Sequence, residues 1–329
     1  MKNIGLIGFG YWAPAIANKI FINPKINLKW ICDQNKDRIQ KAKLIYHDQV
    51  NYSQDSNEVI NDPTLDMIVI AVETSGHYNL AKQSLTMGKH VFVEKPFTST
   101  VQQAIDLDKL AKNCNLKIHI NHVMIYNSVI KKIKELLVEN HIGKILYLDS
   151  MRMNLGQIRK DVSSMWDLAS HDLAVIDYLT DGKQPYYISA VGEKHFNSKE
   201  SVSFLTLRYE NFISHIQSSW ISPVKERKLI IVGTKKMIVF DDLKISEKLT
   251  IYDKGFHIIN NENIEYGVYE TKIHEGDVWS PYIEQKDALS ESIENFIISV
   301  EENKQSLTGS DQGIRILKIL EEADKKMNN

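Results

Sequence analysis

Two short stretches of the chain carry side chains able to hold a developing charge or move a proton. The first is HVFVEKPF, residues 90–97, where an apolar run ends abruptly in Glu94, Lys95 and Pro96. Proline removes a backbone donor and biases the residue before it toward extended geometry, so Lys95 is held at a strand end rather than starting a helix. In an open parallel sheet that is where ligands bind. The second is WDLASHDLAVIDYL, residues 166–179. It reads as a helix with Trp166, Ala169, Leu173 and Ile176 on an inward face. Asp167 and His171, four apart, then share one stripe, and a carboxylate beside an imidazole orients the ring and favours its charged form.

A third stretch points to a ligand rather than to a reaction. Gly8-Phe9-Gly10-Tyr11-Trp12-Ala13 follows the first apolar run, NIGLIG, and opens a helical pattern. The first glycine permits a tight turn, and the second lets the backbone approach a pyrophosphate that the free N–H groups of the helix N-terminus stabilise. Ala13 stands where a third glycine is usual. The next strand, LKWICD, ends in Asp33, whose carboxylate can accept from ribose hydroxyls and would repel a 2′-phosphate, which favours NAD over NADP. Asp33 is also placed to cap the helical pattern at 35–46.

The elements that must position these residues follow from the rhythm of the chain. Apolar runs at NIGLIG, LKWICD, MIVIAV, HVFVE and LKIHIN alternate with amphipathic patterns at 12–22, 35–46, 77–87 and 100–113. This is βαβ patterning, and it implies an α/β domain with a doubly wound parallel sheet over residues 1–121. From 122 to 329 the texture changes to an α+β domain with a largely antiparallel open sheet. SVSFLTLRY turns at Glu210-Asn211 into FISHIQSSW, KLIIVG turns at 234–236 into MIVF, and helical patterns follow at about 283–302 and 311–326. Val202, Phe204 and Thr206 fall on one face of their strand and Leu205, Leu207 and Tyr209 on the other. Both faces are partly apolar, so the sheet is expected to pack against another copy of the chain, as a dimer or tetramer.

Composition excludes several classes. With 329 residues, 40 basic and 42 acidic side chains and a net charge of −2, the chain suits two domains and has no basic block for nucleic acid or an anionic membrane. Its longest apolar run, MIVIAV, is far short of a membrane span, and the N-terminus enters a strand without a signal-peptide pattern. Cys32 and Cys114 have no metal spacing and suit a reducing cytoplasm. No metal is expected.

The combination of GxGxxA, a strand-end Asp, EKP, and Asp-x-x-x-His within WDLASHDL, in this order and over the whole length, resembles the Gfo/Idh/MocA oxidoreductases. That resemblance implies a Rossmann domain followed by a substrate-binding and oligomerisation domain. NHVMIYNSVIKKIKELL and RMNLGQIRKDVSSMWDLASHDL look most like bacterial members that oxidise sugar nucleotides or sugar phosphates for polysaccharide or aminosugar synthesis. It implies that His171 takes a proton from a ring hydroxyl as hydride leaves the same carbon for the nicotinamide, that Asp167 orients His171, and that Lys95, before a commonly cis Pro96, holds the reacting oxygen. Glu94 is then expected near the nicotinamide ribose and His77 on the nicotinamide side, although Glu73 and Gly76 depart from the family's usual residues in that loop. Tyr126, Arg152, Asn154 and Arg159 are the candidates for binding substrate. The reaction expected is oxidation at C3 of a nucleotide sugar such as UDP-GlcNAc or its uronic acid, or of a sugar phosphate. An inositol or free-sugar dehydrogenase, a ketosugar reductase, and a non-catalytic dinucleotide-binding regulator remain the alternatives.

Overall fold

The structure, a computed structural model, describes residues 1–258 and 271–327. The chain divides into one unit of Met1–Tyr126 with Lys286–Glu321, and a second of Asn127–Gln285 with Glu322–Asn329.

The first unit is built on six parallel strands, β1 (Lys2–Ile7), β2 (Ile26–Cys32), β3 (Asn51–Ser53), β4 (Met67–Ile70), β5 (His90–Val93) and β6 (Ile118–Ile120). They alternate with α1 (Ala13–Phe21), α2 (Lys36–Tyr46), α3 (Ser56–Ile60), α4 (Thr74–Thr86) and α5 (Val101–Asn113). The order β3-β2-β1-β4-β5-β6 reverses direction between β1 and β4, the switch point at whose strand ends doubly wound sheets bind dinucleotides. The strands are buried on both faces, which is why MIVI and HVFV are written without polar alternation. Asn35 rather than Asp33 caps α2, accepting from the Asp37 and Arg38 amides.

The second unit holds α6 (Ser128–Val138), β7 (Ile145–Leu155) and α7 (Ser170–Leu179), then β8 (Tyr187–Glu193), β9 (Val202–Arg208), β10 (Ile213–Ser219), β11 (Ile221–Gly233), β12 (Met237–Asp241), β13 (Leu249–Ile258) and β14 (Thr271–Trp279). Its eight-stranded sheet runs β14-β13-β12-β11-β7-β10-β9-β8, antiparallel except where β10 pairs with β7. Both expected hairpins are present, with Arg208 opposite Ile213 and Val232 opposite Met237. Alternation sorts the faces: Ser203, Leu205 and Leu207 of β9 are buried, while Phe204 is 37 % exposed.

The last two helices, α8 (Ala288–Glu301) and α9 (Ser310–Met327), modify the division at 121/122 read from the sequence. Leu289, Ile293, Phe296 and Ile297 of α8 lie in one core with Ile4, Leu6, Ile16, Ile31 and Phe92, so residues 286–321 belong with the first unit. Periodicity gives a helix an apolar face; it does not say which sheet receives that face.

Candidate active site

At the end of β1 the chain turns at Gly8 with φ +95°, and a Cβ there would meet the Ala71 carbonyl oxygen at 2.5 Å. Only glycine satisfies both constraints. The turn is fastened from two sides: the Gly8 amide donates to the Cys32 carbonyl at 2.8 Å, and the Phe9 amide donates to Asp33 Oδ2 at 2.7 Å. A Cβ on Gly10 would meet only Arg38 Nη1, at 3.8 Å, so that face of the loop is open to a ligand backbone approach. No side chain caps α1, which starts beyond an exposed Tyr11 and a partly exposed Trp12, with Pro14 in its first turn. Its leading N–H groups are therefore available to an anion. These features fit a dinucleotide pyrophosphate.

Asp33 has a second task. It is buried, and besides Phe9 its carboxylate accepts from the Asn35 amide at 2.8 Å and Arg38 Nη1 at 3.2 Å. It joins the glycine loop to the end of β2 and stands at the position for a ribose. Arg38, half exposed beside it, was not singled out in the sequence.

Beyond β5, the Lys95–Pro96 bond is cis. Glu94 accepts at Oε1 from Asn121 Nδ2 at 2.6 Å, and burial pushes its carboxyl above the ordinary value against the lowering effect of Asn121 and Lys95. His77 lies in the first turn of α4, buried, with Nδ1 2.9 Å from the Pro96 carbonyl oxygen and Nε2 3.1 Å from that of Val72. The ring thus braces the backbone on which Lys95 is mounted. His122, just past β6, also escaped the sequence reading. Its two ring nitrogens are buried with no hydrogen-bond partner among the described residues, and burial together with the charge of Lys95 pushes it down to about 3, so it is neutral. Tyr126, a substrate candidate by sequence, is buried in the first unit, its hydroxyl 3.0 Å from both Asn295 Oδ1 and Thr308 Oγ1.

In the second unit, Asp167 sits in a π-helical turn, Met165–Ala169, that runs into α7, and His171 is in the first turn of α7. The wider turn replaces the uniform α-helical stripe expected from the i,i+4 spacing. The Asp167 carboxylate accepts from Arg159 Nη1 at 3.2 Å and from Trp220 Nε1 at 3.2 Å. Arg159 also forks onto Asp161, at 3.1 and 2.7 Å. Burial alone would raise the Asp161 carboxyl, yet the hydrogen bond and charge of Arg159 hold it below its ordinary value.

Arg152 differs from Arg159. It is buried on β7 with both arms of its fork 3.0 Å from Asp172, so those donors are committed within the unit. Asn154 lies two residues on along the same strand, half buried. Among the described residues no cluster of three His, Cys, Asp or Glu could hold a metal, and no helix is long and apolar enough to cross a membrane.

Glycine turn, strand-end acid and strand-end lysine on a 3-2-1-4-5-6 sheet define a dinucleotide-dependent oxidoreductase framework. Residues 2–122 match the model of the oxidoreductase family with an NAD-binding Rossmann fold, and residues 130–239 match the GFO/IDH/MocA C-terminal domain. The chain belongs to the Gfo/Idh/MocA oxidoreductases, and its first unit is their NAD-binding domain.

Among curated relatives, an uncharacterised oxidoreductase of Escherichia coli, YdgJ, is 34 % identical over 168 residues, 50 % of this chain and 45 % of that one. The chain thus matches under half the length of that relative. UDP-N-acetylglucosamine 3-dehydrogenase of Acidithiobacillus ferrooxidans is 24 % identical over 255 residues, 77 % of this chain and 76 % of that enzyme. A solved structure of that enzyme superposes with a TM-score of 0.81 at 21 % identity, over 99 % of this chain and 97 % of that one. GenD2 from gentamicin A biosynthesis, solved in complex with NAD, superposes with a TM-score of 0.82 at 15 % identity, over 100 % of this chain and 94 % of that one. At these identities the superpositions speak for the fold.

Proposed function

We propose that the protein is an NAD-dependent dehydrogenase acting on a ring hydroxyl of a phosphorylated sugar, with UDP-linked N-acetylhexosamines or their uronic acids as the first substrate class and hexose phosphates as the second. The observation that carries this reading is the gathering of Gly8, Asp33, Glu94 and Lys95 at the carboxyl ends of neighbouring parallel strands. NAD, held by the glycine loop and Asp33, would supply the hydride acceptor when bound. The chain's own groups manage the proton and the charge. Lys95 stabilises the oxygen as its negative charge develops, and His171 takes the hydroxyl proton, leaving a ketosugar. Asp167, itself braced by Arg159 and Trp220, orients His171. In the reverse direction the same groups reduce a ketosugar.

Substrate charge favours the phosphorylated class. Exposed Gln157 and Lys160 offer polar and cationic groups shortly before Asp167, and Arg159 beside them, bonded to Asp161 and Asp167, is only part-buried, whereas the buried Arg152, committed to Asp172, is reassigned to holding α7 against β7. The relative named for UDP-N-acetylglucosamine supports the ranking. On the second unit, partly exposed Tyr147, Tyr187, Val191, Phe204 and Ile213 give the sheet an apolar surface suited to a second copy of the chain. The two cysteines are free, which suits a cytoplasmic enzyme.

The test is kcat/KM, read from nicotinamide reduction, across UDP-N-acetylhexosamines, hexose phosphates, free glucose and myo-inositol. A preference for the phosphorylated sugars is expected. Preference for myo-inositol or glucose overturns the substrate assignment, and NAD binding without turnover of any of them favours a regulator.

A further inference from the structure

The carboxyl end of the first sheet is joined to the C-terminal segment by a chain of buried, hydrogen-bonded side chains. Ser292, on α8, has one hydroxyl proton, and it is donated to Asn121 Oδ1 at 3.0 Å. The Ser292 oxygen also lies 2.9 Å from His119 Nε2. His119 Nδ1 lies 2.8 Å from the Ser306 oxygen, whose own proton is donated to Asn295 Oδ1 at 3.1 Å. Asn121 completes the sequence by donating from Nδ2 to Glu94 Oε1 at 2.6 Å.

Glu94 spends its remaining capacity at the glycine loop. Besides Asn121 it accepts from the Lys95 amide at 3.3 Å, and the side chain of Trp12, the residue that precedes the first turn of α1, acts to lower its carboxyl. His119, Asn121 and Ser292 are each at most 1 % exposed, so water does not substitute for a missing link. The His119 ring is fixed by stacking between Phe92, 4.7 Å away between centroids, and Tyr126, 5.9 Å away. Burial pushes His119 down to about 3, which keeps the ring neutral.

We propose that Asn121 and Ser292 are positioning residues of the cofactor site: they hold the Glu94 carboxyl group at the end of β5, beside Lys95, where the first sheet receives NAD. This rests on the assignment of the glycine loop to the dinucleotide. It gives the C-terminal segment, which returns to the first unit after some 160 residues spent in the second, a direct part in cofactor binding.

The test uses Asn121→Asp and Ser292→Ala in the full chain, with the NAD dissociation constant measured by calorimetry between about pH 6 and 9. Asn121→Asp is isosteric but sets two carboxylates at hydrogen-bond distance, where they cannot both ionise. Its NAD binding should be near native at the acid end, where the pair shares a proton, and weaken about tenfold or more toward the alkaline end; the native protein, with a single carboxyl there, should show a smaller dependence. Ser292→Ala should raise the KM for NAD roughly threefold to tenfold, while kcat at saturating NAD stays within about twofold. Native NAD binding accompanied by affinities within about twofold of it for both variants, at every pH, overturns the proposal. Failure of the native protein to bind NAD would instead remove the assignment it rests on. Should Asn121→Asp not fold, the KM-against-kcat split of Ser292→Ala decides alone.

Discussion

The two units brace their candidate site residues by different means. In the first, the groups behind Glu94 are neutral: His119, Asn121, Ser292, Tyr126 and Thr308 form a hydrogen-bonded network, and His122 stands neutral beside Lys95. In the second they are ionic: Arg152 with Asp172, and Arg159 between Asp161 and Asp167. The ionic network around Asp167 fixes its carboxylate between Arg159 and Trp220. The contrast teaches that neutral hydrogen bonds stand behind the strand-end carboxyl of the first unit, whereas charge pairs hold the carboxylates of the second.

Breaking the ionic side should have the largest effect. Arg152→Ala leaves the Asp172 carboxylate buried and unpaired, and is expected to destabilise the protein by about 3–5 kcal/mol, measured by urea unfolding, with no preferential rise in KM for phosphorylated sugars. Removal of the reacting groups comes next. Lys95→Met and His171→Ala should each slow hydride transfer in single turnovers by about 10²-fold, near 2.7 kcal/mol, with NAD affinity nearly native. Asp167→Asn should cost less, because Arg159 and Trp220 still hold the side chain.

Acid sharpens the comparison from the neutral side. His119 and His122 have folded values of about 3, well below the ordinary 6.5, so the unfolded chain binds more protons. Their stabilising contribution is complete above about pH 6.5 and is lost as pH falls toward 3, at roughly 1.4 kcal/mol per ring per pH unit. Lowering the pH from about 7.5 to 5 should therefore remove on the order of 2 kcal/mol per ring, with protection of amides in 118–126 failing before that of amides in 148–155 in hydrogen exchange. The smallest effect belongs to Arg159. Its pairs are partly exposed, so Arg159→Ala should cost under about 1 kcal/mol of stability while raising KM for phosphorylated sugars above that for any free sugar that reacts.

Much of the cofactor end was legible in the sequence because its requirements are residue-specific. Gly8 occupies a backbone conformation that other residues rarely adopt, with a carbonyl where their Cβ would stand, and runs such as MIVIAV can only be strands buried on both faces. What was not legible depends on partners distant in the chain. Nothing near Arg152 announces that Asp172 will take both arms of its fork, and nothing in the apolar spacing of α8 says that it completes the core of β1 and β2. The π-helical turn at 165–169 is invisible to an i,i+4 count, which assumes the same turn throughout. His119 and His122 are lone histidines at the end of a short strand, and only the fold shows that one sits within a hydrogen-bond network and the other faces no partner.

The most direct measurement supplies NAD and UDP-N-acetylglucosamine carrying deuterium at C3, and follows the label by mass spectrometry. The account predicts one deuterium on the reduced nicotinamide for each 3-ketosugar formed, with little of either when Lys95→Met or His171→Ala replaces the native enzyme. Product formation that leaves the nicotinamide unlabelled, or native rates in both variants, would contradict it.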